Sequence, residues 1–317
     1  MIDFLMSDPP ARKLTSHTQP LTSEQVEPLR KVLEEAGFEF LKKDYTLYAA
    51  RKPGVNVSVY AKGPKVLIQG KGTREFIQFL LEPLVLGEAQ LGYEEEHHPE
   101  WFSPHFGIDE SGKGDLFGPL VIAGTYVDPE VTRELLALGA MDSKRISSDA
   151  RIRDLADSMR KVAGLKHEVV LIPPTRYNQL YQQFGNLNRL LAWGHAKVIG
   201  LLQERVPECP RALSDQFARP DLIERALQER GTEITLEQRT KAESDPAVAA
   251  ASLFAREAFI DWLDRAGQPL GESLPKGVSP KVKEVGRTWM KRFGEEALSE
   301  IAKMHFKTSK ELRENDF

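Results

Sequence analysis

Apolar positions fall into two blocks along this chain, separated by a polar stretch near residue 95. In the first block, residues 24–36 space Leu29, Val32 and Leu33 at helical intervals and predict a helix with those three inward. Residues 38–50, 55–62 and 65–69 read as strands joined by short turns. A second helix is expected to start at Thr73, capped by its hydroxyl, and to run to residue 81. Helix, three strands and helix in fewer than about a hundred residues make a small α+β domain.

The second block alternates strands and helices. Residues 106–110 and 116–127 read as a strand pair, and 129–138 and 148–163 as helices. A strand at 167–172 is followed by a helix opening at Pro173-Pro174. Residues 188–204 form a long apolar helix, and 212–217 and 233–240 are further strands. A last long helix covers 246–265, with proline tolerated in its first turn. This order predicts an α/β mixed sheet flanked by helices. The stretch GEAQLGYEEEHHPEWFSP between the blocks is acidic and proline-punctuated, as linkers are. The expected organisation is a domain at 1–87, a linker at 88–103 and a larger domain at 104–317. His97 and His98 have no second ligand pair nearby and read as linker residues.

Composition narrows the function classes. No twenty-residue apolar span exists, which excludes a membrane helix. The N-terminal MIDFLMSDPPARK is too short and acidic for a signal peptide. Cys209 is the only cysteine, so the chain forms no internal disulfide, which fits a reducing cytoplasm. A monomer is the expected state. The net charge of −4 argues against a generic nucleic-acid coat protein. The charge is nevertheless uneven. Residues 42–74 carry eight basic side chains against one acidic, Asp44, and a face of that composition suits phosphate.

The densest chemistry lies in DESGKGD at 109–115. Adjacent carboxylates can hold a hard cation through oxygen. Glycines let a backbone approach a ligand closely, and the lysine between them offers a charge to phosphate. Residues 107–113 also read G-x-x-x-x-G-K, close to a phosphate-binding P-loop. That reading fails on three counts. Gly114 stands where a Ser or Thr would hold magnesium, Asp109 and Glu110 would repel the phosphates, and 117–127 has strand rather than helix character. Asp215 and Glu243 also lie at the ends of predicted strands, where open sheets gather their sites. Adjacent strand residues point to opposite faces, so Asp109 and Glu110 share a site only if the strand ends or twists at Glu110. Four clustered carboxylates would repel without cations. Two divalent ions, roughly 3.5–4 Å apart, would neutralise them and clamp an in-line phosphodiester displacement.

These motifs resemble the type 2 ribonucleases H, and ribonuclease HIII most closely. DESGKGD matches that family's D-E-x-G-x-G-D opening, and MDSK, NLNRLLAWGHAKVI, LSDQF, TKAES, VAAASLFAR and KMHFKT follow in the family's order. The resemblance covers residues 106–308. It implies a five-stranded ribonuclease H fold behind a TATA-binding-protein-like N-terminal domain. It implies an enzyme cutting the RNA strand of RNA/DNA hybrids endonucleolytically, leaving 5′-phosphate and 3′-hydroxyl ends. Asp109, Glu110, Asp215 and Glu243 are then the catalytic ligands of two Mg2+ or Mn2+ ions. Ribonuclease HII enzymes usually carry aspartate at the fourth position, so Asp245 is the runner-up to Glu243. The Gly112-Lys113-Gly114 turn would meet the ribose 2′-hydroxyl, the group that separates RNA from DNA. Lys144, Asn186 and Asn188 are implied substrate contacts, and Lys303, His305 and Lys307 implied DNA-strand contacts. A ribonuclease HII-like enzyme acting at single ribonucleotides in DNA, and a non-catalytic hybrid-binding protein, are the alternatives.

Overall fold

A computed structural model describes residues 14–87, 93–141, 146, 148–219 and 221–314. The chain divides into two compact units, with the division between Glu100 and Trp101. The Lys144 assignment and the reading of the N-terminal thirteen residues lie outside the described residues.

The first unit is an antiparallel sheet of five strands in the order β1-β5-β4-β3-β2. Its elements are β1 (Ser16–Pro20), α1 (Ser23–Glu35), β2 (Glu39–Leu41), β3 (Thr46–Lys52), β4 (Val55–Tyr60), β5 (Lys65–Gln69) and α2 (Thr73–Phe76). The chain continues from α2 as a π-helix, Ile77–Leu86. A short α3 (Glu94–His97) follows. One sheet face is apolar: Val57, Val59, Val66 and Ile68 pack against Leu29 and Leu33 of α1 and Ile77 and Leu81 of the π-helix. The opposite face carries Arg51, Asn56, Ser58, Tyr60 and Lys65, as period-two alternation requires.

Three expectations for this unit are corrected. The strand at 38–50 is a hairpin, because the chain turns at 42–45 with Tyr45 at φ 62°. β1 is an additional strand, since SHTQP carries no apolar signal; it pairs along the edge with β5. The Thr73 hydroxyl does not cap its helix by accepting an amide. It donates to the Gly70 carbonyl at 2.8 Å.

The second unit is built on a mixed sheet, β10-β9-β6-β7-β8. It comprises β6 (His105–Ser111), β7 (Leu120–Val127), α4 (Pro129–Leu138), α5 (Asp149–Met159), β8 (Lys166–Ile172), α6 (Pro174–Phe184) and α7 (Leu187–Arg205). β9 (Arg211–Asp215), α8 (Asp221–Glu229), β10 (Thr235–Arg239) and α9 (Pro246–Gly267) follow, then α10 (Pro280–Phe293), α11 (Leu298–Ile301) and α12 (Lys307–Glu314). β9 pairs in parallel with both β6 and β10, while β7 is antiparallel to its two neighbours, β6 and β8. Both faces are covered. Phe106, Ile108 and Ile122 meet Leu190, Leu191 and Ile199 of α7 on one side. Val121 and Ala123 meet Ala250, Leu253 and Phe254 of α9 on the other. A strand buried on both faces reads as a continuous apolar run, which is why LVIAGTYV stands out so clearly.

The approach of α9 depends on one glycine. A Cβ on Gly107 would lie 2.3 Å from the Ala247 carbonyl carbon and the Val248 nitrogen. With no side chain there, and with alanines at 247 and 249–251, the start of α9 sits directly on β6. No helix among the described residues is long and apolar enough to cross a membrane.

Candidate active site

The parallel strands deliver their C-terminal ends to one edge of the sheet. The β6–β9 register ends with Ile108 opposite Ser214, so Asp109 and Asp215 follow directly where the parallel pairing of the two strands stops. The β9–β10 register ends at Asp215 opposite Arg239. Beyond Arg239, Lys241 takes φ 61°, rare for a non-glycine, and turns the chain into a single 3-10 turn, Ala242–Ser244. The Ala242 amide donates to Asp215 Oδ1 at 3.0 Å and fastens that turn to the end of β9. The turn that carries Glu243 is therefore held beside Asp215.

Asp109 and Glu110 leave β6 in opposite directions. β6 does not end at Glu110: pairing continues to Ser111 opposite Val121, so the expected break in the strand is absent. Asp109 points to the α9 side, where Ser252 hydrogen-bonds its carboxyl. Glu110 points to the α7 side, where Oε2 accepts from His195 Nε2 at 3.1 Å. Lys113 Nζ stands 3.5 Å from Glu110 Oε1 and over the Phe217 ring. The two carboxyls titrate differently as a result. Burial, reinforced by the charge of Glu110, pushes Asp109 up to about 7, with Ser252 only partly opposing. Burial also raises Glu110, but His195 and Lys113 outweigh it and hold that carboxyl below its usual range.

Two residues of this cluster had no assigned role in the sequence. His195 is fully buried and spans the two carboxylate-bearing strands, with Nδ1 3.0 Å from Ser214 Oγ and Nε2 on Glu110. Its one sequence signal is a histidine inside an otherwise apolar stretch of α7. Ser252 lies among the alanines of α9.

Asp245, the runner-up ligand, is committed elsewhere. It is buried, its Oδ1 caps α9 by accepting from Ala247 N at 2.8 Å, and both oxygens face His105 Nε2 at 3.0 and 3.1 Å. Among the described residues no three His, Cys, Asp or Glu side chains form a ready-made metal cage. The donors at the strand ends are nevertheless all carboxylate oxygens, the class that suits a hard divalent cation. A carboxyl pushed towards protonation by burial and then by its neighbour's charge also fits a place where a cation would restore the charge balance.

The family model for ribonuclease HII matches residues 106–309. Ribonuclease HIII of Chlamydia caviae is 42% identical over 90% of this chain and 93% of its own. Ribonuclease HIII of Protochlamydia amoebophila is 42% identical over 89% and 91%. The chain belongs to the type 2 ribonuclease H family, on its ribonuclease HIII branch. Among solved structures, Bst-RNase HIII in complex with Mn2+ superposes with a TM-score of 0.66 and 26% identity, covering 95% of this chain and 98% of that one. Aquifex aeolicus RNase H3 gives a TM-score of 0.53 at 28% identity over 91% of this chain and 99% of that one. The protein is a ribonuclease H enzyme with a ribonuclease H-like catalytic fold.

In this ribonuclease H the glycine turn is sterically required at one position and open at another. Gly112 has φ +85°, and a Cβ would fall 2.2 Å from the Pro119 carbonyl oxygen. At Gly114 a Cβ would meet nothing within 4 Å, so its surroundings are free for a ligand. Asn186 is the N-cap of α7, its Oδ1 accepting from Asn188 N at 2.7 Å. Lys307 is exposed and 3.6 Å from Glu311. The implied DNA contact at Lys303 is corrected. Its side chain is fully buried, burial pushes the ammonium down to about 7, and it donates to backbone carbonyls. His305 is half-buried and stacked on Tyr181 at 4.2 Å. Burial first, and then the Lys303 charge, push it down to about 4, so at neutral pH it brings no charge to a phosphate.

Proposed function

We propose that this ribonuclease H cleaves the RNA strand of RNA/DNA hybrids endonucleolytically, leaving 5′-phosphate and 3′-hydroxyl ends. Asp109, Glu110, Asp215 and Glu243 would hold two divalent cations, Mg2+ or Mn2+. When bound, these would activate the attacking water and stabilise the leaving oxygen. The observation that supports this reading is that Asp109 and Asp215 follow the last parallel pair of β6 and β9, and that the turn carrying Glu243 is fastened to Asp215. The protein's own groups do the positioning. His195 fixes the Glu110 carboxylate and Ser252 that of Asp109. In the Gly112-Lys113-Gly114 turn the backbone at Gly114 is bare enough to meet a ribose 2′-hydroxyl, while Gly112 packs against Pro119.

The domain at 1–87 would grip the substrate and the domain at 104–317 would cut it, with 88–103 as linker. On the first unit's open sheet face, Lys43 Nζ donates to Ser58 Oγ at 3.0 Å, and Lys43 and Lys65 both stand over Tyr60. Lysines on an exposed sheet face, with an aromatic between them, suit a phosphate backbone. A monomer working in the cytoplasm fits the lone, buried Cys209. The deciding assay compares a long RNA/DNA hybrid with a DNA duplex carrying one ribonucleotide, in Mg2+ and in Mn2+. Preferred cleavage of the long hybrid, with 5′-phosphate products, is the expected result. Preference for the single ribonucleotide would move the protein to the ribonuclease HII-like reading.

A further inference from the structure

The most unusual buried group in the second unit lies outside the carboxylate cluster. Lys303 has no exposed surface. Its Nζ donates to the carbonyls of Asp115, Phe117 and Gly118 at 2.9, 3.4 and 2.7 Å. An ammonium has three protons, and here each finds a carbonyl oxygen. All three acceptors belong to the segment that leaves the Gly112-Lys113-Gly114 turn. The backbone repeats the grip: Lys303 N donates to Leu116 O at 2.9 Å, and Gly118 N to Ile301 O at 2.9 Å. From the other side, Asp115 Oδ1 accepts from Gly277 N at 2.6 Å, and Leu116 N donates to Gly277 O at 3.1 Å.

A buried charge is costly, and an apolar side chain of similar length would fill the same volume more cheaply. What an apolar side chain cannot do is hold three carbonyl oxygens pointing at one place, because converging carbonyl dipoles repel. Gly112 is packed against Pro119, but the Gly114 end of the turn is lightly held. Its own closure is a 3.4 Å bond from Asp115 N to Gly112 O, and a Cβ on Gly114 would touch nothing. Asp115 is thus the junction: its amide closes the turn, and its carbonyl is gripped by Lys303.

We propose that Lys303 is a positioning residue for substrate discrimination. Its buried ammonium gathers the carbonyls of Asp115, Phe117 and Gly118 and so fixes the Gly112-Lys113-Gly114 backbone in the arrangement that distinguishes ribose from deoxyribose. This rests on the reading that the turn meets the 2′-hydroxyl. The lysine acts from beneath the turn and does not touch the nucleic acid.

The test uses full-length Lys303→Met, Lys303→Arg and Gly114→Leu. Affinities for an RNA/DNA hybrid and for a DNA duplex of the same sequence are measured with divalent ions chelated, well below each variant's Tm. Steady-state kinetics on the hybrid follow. Lys303→Met is expected to lower the hybrid-over-DNA preference about tenfold, the scale of one charge-assisted hydrogen bond. KM should rise while kcat changes little, the pattern of lost uniform binding. Lys303→Arg, which keeps the charge and the donors, should recover most of the preference. A purely structural lysine would lower Tm in the Met variant and leave the preference unchanged, and that result overturns the proposal. If Lys303→Met does not fold, Lys303→Gln, which keeps two donors, gives the same reading at smaller amplitude. Gly114→Leu separates the two layers, because a side chain there has room in the fold but would block a ligand. An unchanged preference in Gly114→Leu overturns the reading of the turn. A lost preference in Gly114→Leu with a normal one in folded Lys303→Met overturns the clamp alone.

Discussion

The protein's two five-stranded sheets solve different problems with the same number of strands. The first is antiparallel throughout, so successive strand ends alternate between its two edges, and its basic side chains lie on an open face. The second is buried on both faces by helices and can offer only its edges. Because β10, β9 and β6 are adjacent and parallel, their C-terminal ends meet one edge side by side. Parallel pairing therefore concentrates carboxylates in space that are far apart in sequence, as at the ligand sites of open α/β sheets. An open antiparallel face instead spreads basic groups over an area, which suits gripping rather than cutting.

If that division holds, damage at the strand ends should remove chemistry and leave binding. Asp109→Asn should lower kcat on the hybrid by on the order of 10²–10³-fold or more, the scale of losing one preorganised electrostatic group. Hybrid affinity should change little, and gel-shift titration beside single-turnover cleavage measures both. Glu243→Gln should fall in the same range. Asp245→Ala, two residues on, should behave in the opposite way. It loses the α9 cap, worth about 1–2 kcal/mol, and leaves His105 without its buried partner, so Tm falls. Its kcat per folded molecule should stay near the parent's. A collapse of kcat in a well-folded Asp245→Ala would mean that the wrong carboxylate has been placed in the cluster.

Damage to the first unit should have the converse signature. Deleting residues 1–87 should raise KM, weaken hybrid binding and flatten its salt dependence, with metal-dependent cleavage persisting at high substrate. Equal affinities and equal salt slopes for full-length and folded truncated protein would end the substrate-binding role.

The smallest expected effect is on stability against pH. Asp109 sits at about 7 in the folded protein against a reference value of 3.8. The metal-free fold therefore binds a proton more readily than the unfolded chain between about pH 4 and 7, and its stability declines as pH rises through that window. Asp109→Asn removes the decline. With divalent ions chelated, it should unfold a few °C above the parent at pH 8, with the gain vanishing by pH 4. An equal Tm difference at both pH values would show that Asp109 is not strained by its surroundings.

Much of this division was legible in the sequence because it rests on local signals. Asp128 and Pro129 announce α4, whose limits match residue for residue, since the Asp128 side chain accepts from Glu130 N and Val131 N. The buried strand β7 and the long helix α9 are equally plain in their apolar runs. What stayed hidden depends on partners distant in sequence or on unusual backbone. The β2–β3 hairpin turns on Tyr45 at positive φ, where a glycine would have signalled it. Glu243 and Asp245 look alike in sequence, and only His105, 140 residues away, shows that Asp245 is occupied. Lys303 sits in a polar motif that reads as surface, and its burial is created by carbonyls more than 180 residues earlier in the chain.

If the two sheets divide the work in this way, the carboxylates at the parallel strand ends carry the chemistry and only the chemistry. Asp215→Asn tests it most directly, because Asp215 joins β9 to the turn that holds Glu243 and lies in the second unit alone. The measurement is single-turnover cleavage of an end-labelled RNA/DNA hybrid in Mg2+ and in Mn2+, at saturating protein, with hybrid affinity determined on the same preparation. The expected result is parent-like affinity with cleavage lost in both ions. Near-normal cleavage by the folded variant would show that the strand-end carboxylates do not carry the chemistry.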